Sequence, residues 1–294
     1  CINDSSSSPY TYSEYLKDGD IDKLDRVIIS NLKSLNNIID YNIKNNIHFY
    51  RMSSKIIPLA TKDDVKFDYT NKYKSYYDTI GKKISESKMR VDFHPDQFCV
   101  LNSVKSDVVS NSVKILEYHY NLLNMLNVND KILILHVGSS AFGKENSISR
   151  FINNFNKLPI YLRKCIAIEN DDKVFNVNDV LNISKVTSIP VVLDYHHHLC
   201  NKGDFSFADI FNSWGNRRVK MHFSSPKNKR DYRSHNEYIN GDDFINFIEI
   251  LKKYDRDIDI MLEAKGKDDS LFRLVRYIKY KTDYKFIDDT TFLV

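Results

Sequence analysis

The chain has 294 residues, 42% of them hydrophobic and 28% charged, which is enough apolar material for one α/β barrel or two smaller domains. The net charge of +4 permits nucleic acid as a partner without demanding it, and no apolar run is long enough to cross a bilayer. Cys1, Cys99, Cys165 and Cys200 lack C-x-x-C spacing and follow no recognisable signal peptide, so they read as reduced, mostly buried thiols of a cytoplasmic protein.

Residues 1–9 are polar and serine-rich. Because residue 1 is Cys rather than Met, a segment upstream, and with it a first strand, is expected to be missing. Ile21, Leu24, Ile28, Leu32, Leu35 and Ile39 recur at three and four residues, a long amphipathic helix with Asp20 as its N-cap. Strands are then expected at 47–51, 89–94, 131–137, 165–170, 190–194, 217–223 and 257–264. The helices between and after them fall at 70–87, 107–126, 147–162, 177–188, 205–214, 242–254 and 270–280. Seven strands alternate with helices without a linker or low-complexity insert, which predicts one domain over residues 1–294. With the lost first strand the count becomes eight, a TIM (β/α)8 barrel.

The last residues of these strands are Arg51, His94, His136, Glu169, Asp194 with His197, His222 and Glu263. In a barrel the carboxyl ends of all strands meet on one face, so side chains far apart in sequence become neighbours. Each has a structural alternative: a turn residue for His94 before Pro95, a core histidine for His136, a lysine partner for Glu169. Six consecutive strands ending in ligand-type groups is hard to obtain from independent coincidences. In Asp194-Tyr195-His196-His197-His198 an ordinary strand-to-loop turn aims Asp194 and His197 at one cation. Imidazoles with carboxylates suit Zn, Mn or Fe better than Mg. With His235 the candidates number eight, more than one ion takes, so two or three divalent ions sharing carboxylates are expected, a constellation suited to phosphodiester hydrolysis. Glu169 and Glu263 are the expected bridges, since a carboxylate has two oxygens to offer. Lys220, two residues before His222 in a strand, faces the same way. If buried there it is neutral, turned onto a phosphate, or converted to a carbamate; the alternative is a lysine reaching out to solvent.

The segments Tyr-Arg-Met-Ser-Ser-Lys-Ile-Ile-Pro-Leu-Ala (50–60), Phe-His-Pro-Asp-Gln-Phe (93–98), Leu-His-Val-Gly (135–138), Ile-Glu-Asn-Asp-Asp (168–172), Asp-Tyr-His-His-His (194–198), Lys-Met-His-Phe-Ser-Ser (220–225) and Glu-Ala-Lys-Gly-Lys (263–267) resemble the UV damage endonucleases over nearly the whole chain. The resemblance implies a barrel related to endonuclease IV. It also implies a cluster of divalent ions, usually described with manganese, and cleavage of DNA on the 5′ side of ultraviolet photoproducts. It carries the metal ligands onto His94, His136, Glu169, Asp194, His197, His222, His235 and Glu263. The family also places lesion-probing Tyr and Asn residues near its amino end, where Asn3 is the match here.

Damaged duplex DNA is thus the expected partner, met by a monomer with an open barrel face. The loop from Pro226 to Arg233 carries Lys229 and Arg230, suited to phosphates though such runs are often simply solvated, and Arg51, Lys55, Lys265 and Lys267 lie on the same face. Gln97 and Phe98 are expected to read the damage, Phe98 by replacing lost base stacking and Gln97 by meeting unpaired bases; the alternative packs Phe98 beneath the loop as core. An abasic-site endonuclease and a metal-dependent sugar isomerase or epimerase are the other enzyme readings, and a non-catalytic damage-binding protein the non-enzyme one.

Overall fold

The computed structural model describes residues 7–294. Its centre is a seven-stranded parallel sheet in sequential order: β1 (Phe49–Met52), β2 (Arg90–Phe93), β3 (Leu133–His136), β4 (Ile166–Glu169), β5 (Val191–Asp194), β6 (Val219–Phe223) and β7 (Ile258–Leu262). The sheet curls into a TIM barrel because each strand is apolar toward the surrounding helices and the connections are helical. In β6 the alternation is explicit: Phe223 packs on Tyr195, Phe244 and Phe247 outside, while Lys220 and His222 point inward to Asp92 and Glu169. Arg90, Asp92 and His94, two residues apart, supply three successive inward layers. At the amino-terminal mouth Arg90 pairs with Asp259 and, at 3.2 Å, with Asp130, and Arg217 reaches Asp130 at 2.7 Å.

Among the described residues β7 and β1 do not pair, so the barrel is nearly closed rather than closed. A groove of about 1200 Å³ lies along this seam, lined by Phe49, Arg51, Ile260, Leu262, Leu274 and Phe292 among others. Two ion pairs, Arg51 with Glu263 and Arg90 with Asp259, tie the two sides together.

The helices are α1 (Tyr12–Asp18), α2 (Ile21–Lys44), α3 (Lys74–Glu86), α4 (Ser106–Met125), α5 (Lys144–Lys157), α6 (Ile160–Arg163), α7 (Val177–Thr187), α8 (Tyr195–Cys200), α9 (Phe207–Ser213), α10 (Gly241–Lys252) and α11 (Lys267–Lys281). Asp20 caps α2, its carboxylate accepting from Lys23 N–H at 2.8 Å. The single helix expected at 147–162 is two, because Pro159 has no N–H and holds Leu158 in an extended conformation. The three histidines after Asp194 lie on α8 rather than a loop, since Asp194 N-caps a short helix there. Sequence periodicity missed α1 and a closing hairpin of β8 (Lys285–Phe286) and β9 (Phe292–Leu293), both too short to show a period. No described helix is long and apolar enough to cross a membrane. Cys99 and Cys165 are buried and Cys200 half-buried, all unpaired, whereas Cys1 and Asn3 lie outside the described residues.

Candidate metal centre

The carboxyl ends of the strands gather six of the eight expected ligands into close groups, and His197 from α8 and His235 from the excursion after β6 stand beside them, 4.0 Å from Glu169 and 3.8 Å from Glu263. Glu169, 1% exposed at the end of β4, is the hub: one oxygen lies 2.7 Å from His94 Nε2 and 3.4 Å from His136 Nε2, the other 2.6 Å from His222 Nδ1. Glu263, just beyond β7, stands 3.4 Å from His222 Nδ1, 3.8 Å from His235 Nδ1, and against the Arg51 guanidinium. His94, His136 and Glu169 form one group, and Glu169, Asp194, His222 and Glu263 another; within each, the ligand-type atoms lie within 4.8 Å of one another. Glu169 belongs to both.

Local chain geometry sets these side chains. As N-cap of α8, Asp194 accepts from the His197 backbone N–H at 2.7 Å, which turns the His197 ring back over the carboxylate at 3.6 Å. The carbonyl of Asn170 lies 3.0 Å from His197 Nδ1, fixing that nitrogen as the donor and leaving Nε2 for a ligand. Asn170 also binds the Asp194 backbone through both ends of its amide, at 2.9 and 3.0 Å. Its role was not singled out from sequence, although it stands inside the quoted Ile-Glu-Asn-Asp-Asp segment. His235 comes from the excursion after β6, whose neck closes through the Lys227 and Asn236 backbone N–H groups on Ser234 and Ser225 at 2.7 and 2.8 Å.

The electrostatics suit cations. Burial opposes ionisation of Glu169, but His222, His136 and His94 outweigh it and hold the carboxyl well below its ordinary range. Burial likewise opposes charge on Glu263, and Arg51 and His222 again prevail. Burial depresses His222 to about 4, with Glu169 at its Nδ1 and the Arg51 guanidinium at its Nε2. Burial pushes the Asp194 carboxyl up. It opposes the charge on His197, which Asp194 and Glu169 raise nonetheless, so this pair retains a proton that a cation would displace. Asp194 Oδ2 and His136 Nδ1 are buried without a hydrogen-bond partner. Orphaned polar atoms within a dense imidazole–carboxylate set fit divalent ions, and three carboxylates among imidazoles are the donors of Zn, Mn or Fe sites.

The remaining expected residues divide. Lys220 is fully buried, which excludes the solvent-reaching alternative. Its amino group engages Asp92 and lies 4.1 Å from the centre of the Phe49 ring, one inward layer beneath His222. Burial, with Arg51 and Arg90 nearby, holds it below the ordinary lysine range. Asp92 was not singled out from sequence, although it stands two residues before His94 as Lys220 stands two before His222, and the same alternation turns it inward. Phe98 is 72% exposed and Gln97 is exposed with it, so the reading of Phe98 as core fails. Lys55, Lys229, Arg230 and Lys265 are exposed on the rim loops, and Lys267 begins α11. Arg51 is half-buried, turned inward to Glu263 and 3.3 Å from His222 Nε2.

A TIM barrel with a carboxylate-bridged imidazole cluster at the carboxyl ends of its strands defines a barrel enzyme with a metal-type centre. The sequence model of UV-endonuclease UvdE matches residues 6–291. The UV DNA damage endonuclease of Bacillus cereus (strain G9842) is 38% identical over 261 residues, covering 86% of this chain and 82% of the relative. That of Bacillus mycoides (strain KBAB4) is 37% identical over 277 residues, covering 92% and 87%. The crystal structure of SacUVDE superimposes with a TM-score of 0.83 at 36% identity over 90% of this chain and 91% of that one. The chain belongs to the UV DNA damage endonuclease family and is an endonuclease of DNA repair. Endonuclease IV from Thermus thermophilus, at 12% identity and a TM-score of 0.60, shares the fold, over 85% of this chain and 96% of that one; several sugar epimerases do likewise.

Proposed function

We propose that this protein is a divalent-metal-dependent endonuclease that hydrolyses the phosphodiester on the 5′ side of ultraviolet photoproducts in duplex DNA. Residues 1–294 form one domain that carries the ligand cluster, and the protein acts as a monomer. The observation that carries this reading is Glu169, a buried carboxylate shared by two ligand groups in a chain of the UV endonuclease family. His94, His136, Glu169, Asp194, His197, His222, His235 and Glu263 are the residues that would hold two or three ions, manganese first and zinc second. Bound there, such ions supply Lewis acidity and an activated water for phosphodiester hydrolysis. Glu169 and Glu263, both close to His222 Nδ1, would supply anionic oxygens to bound ions, and His222 an imidazole nitrogen.

Around that centre the chain's own groups position the duplex. Lys229, Arg230 and Lys265 meet backbone phosphates without reading sequence, and Arg51 balances Glu263 beside the scissile group. Gln97 and Phe98 enter the weakened stack at the lesion, the ring filling the space of lost stacking and the amide meeting unpaired bases. Lys220 supports the ligand layer from beneath, as counter-charge to Asp92 or, after reaction with carbon dioxide, as a carbamate.

The test incubates the protein, stripped with chelator and reloaded with manganese, zinc or magnesium, with irradiated, abasic or undamaged plasmid. Metal-dependent nicking of irradiated plasmid is expected, and an end-labelled irradiated duplex locates the cut. Nicking confined to abasic plasmid, or none with any metal, would reject the reading. Glu263→Gln should lose bound metal by elemental analysis while its circular dichroism stays native, and full occupancy with normal nicking would refute the bridging role.

A further inference from the structure

Of the seventeen phenylalanines, Phe98 and Phe142 are the two with exposed rings, at 72% and 78%. They stand on the loops after β2 and β3, neighbouring strands of which the first is followed by His94 and the second ends in His136. Single exposed apolar side chains are ordinary on a protein surface, so what sets Phe142 apart is its backbone and the brace that holds it on the ligand-bearing face. Phe142 also has a left-handed backbone, φ 61°, uncommon for a bulky residue and held only where the surroundings impose it.

The surroundings are a brace between the two loops. Asn102, fully buried, donates to the Ser139 carbonyl at 2.7 Å and accepts from the Ser139 N–H at 3.2 Å. Arg150 of α5 donates to the carbonyls of Asn102 and Ala141, at 2.9 and 2.5 Å. Gly138, at φ 113°, lies so close that a Cβ there would stand 2.3 Å from the Asn102 side-chain oxygen. On either side of the ring, Asn146 donates to the Phe142 carbonyl at 2.8 Å and Gly143 N–H to the Ser140 carbonyl at 3.0 Å. A strained aromatic is thus locked outward and fixed to the loop that carries Gln97 and Phe98.

We infer that Phe142 is a second DNA-contacting ring, which stacks on a base of the duplex opened at the lesion beside the one met by Phe98. This rests on the proposed action on damaged duplex and adds a residue to it. Stacking suits the task because every base offers a π-face, so affinity is gained without sequence preference.

The chain's one tryptophan, Trp214, is 2% exposed, so Phe142→Trp places a single accessible indole at this position. Mixed with irradiated oligonucleotide duplex and read before turnover, that indole should be quenched and shielded from acrylamide; undamaged duplex should do neither. Phe142→Ala should bind irradiated duplex about tenfold more weakly, with undamaged binding, metal content and circular dichroism unchanged, and Phe142→Tyr should restore affinity. Wild-type affinity in Phe142→Ala, or equal quenching by both duplexes, would overturn the inference. If Phe98→Ala loses lesion binding while Phe142→Ala does not, the inference falls and the proposed function stands. Failure of the wild-type protein to bind or nick irradiated duplex would remove both.

Discussion

Lys220 sits two residues before His222 on β6, and the strand's alternation sends both side chains into the barrel, where Asp92 from β2 meets the lysine. Removing one partner of a buried pair leaves the other charge uncompensated, at a cost of about 3–5 kcal/mol. Lys220→Ala should therefore lower thermal stability together with metal content and nicking; unchanged metal and activity would dispose of its part in the site. His119 on α4 offers a separate test. Its ring packs 4.5 Å from Phe93 and 5.0 Å from Tyr118, centre to centre, and burial depresses its pKa to about 3. Unfolded, the imidazole titrates near its ordinary value of about 6.5, so below that pH the unfolded chain takes up a proton that the folded one refuses. Its contribution to stability is full above pH of about 6.5 and is lost toward pH of about 3, by at most about 1.4 kcal/mol per pH unit. His119→Phe keeps the ring contacts and should flatten this acid limb, measured as urea midpoints across the window. An unaltered limb would assign acid sensitivity to other groups.

Between elements, close backbone approach decides what is tolerated. Gly81 on α3 faces the end of α4, and a Cβ there would stand 2.5 Å from the Leu126 carbonyl oxygen. Since the obstacle is backbone, relief requires the two helices to part. Gly81→Ala should destabilise the protein by about 1–3 kcal/mol from overpacking, against a gain of about 1 kcal/mol in helix propensity. A lower urea midpoint with native circular dichroism is expected, whereas a raised one would show that α3 and α4 separate freely. The same scale explains why α8 was read as a loop: six residues cannot display a helical period, and the deciding bond runs from His197 N–H to Asp194. Pro159 carried a local signal for the break between α5 and α6, yet the single helix expected at 147–162 ran through it.

Across the whole molecule the charge is only mildly positive, so DNA must be met by local groups rather than a general field. Lys229 and Arg230 project from the excursion that also brings His235 beside Glu263. Replacing both by Ala should weaken binding to irradiated and undamaged duplex alike. It should also flatten the slope of log affinity against log salt by about 0.9 for each phosphate no longer neutralised. A wild-type slope in that variant would place the excursion off the DNA.

The barrel was legible because seven apolar runs separated by helical periods leave few other ways to bury their faces. The candidate ligand set could be read because parallel strands gather their carboxyl ends whatever the loops do. Residue type and strand position sufficed for His94, His136, Glu169, Asp194, His222 and Glu263, since each ends or directly follows a strand. Tertiary structure alone decided how they meet: that Glu169 touches three imidazoles, that Arg51 turns inward to Glu263, and that Lys220 finds Asp92. It alone also set Phe142 outward, through Asn102 and Arg150, which are 48 residues apart in sequence. Such pairings depend on the curvature of the sheet and the packing of loops on one another, and neither has a period or a motif that a linear sequence displays.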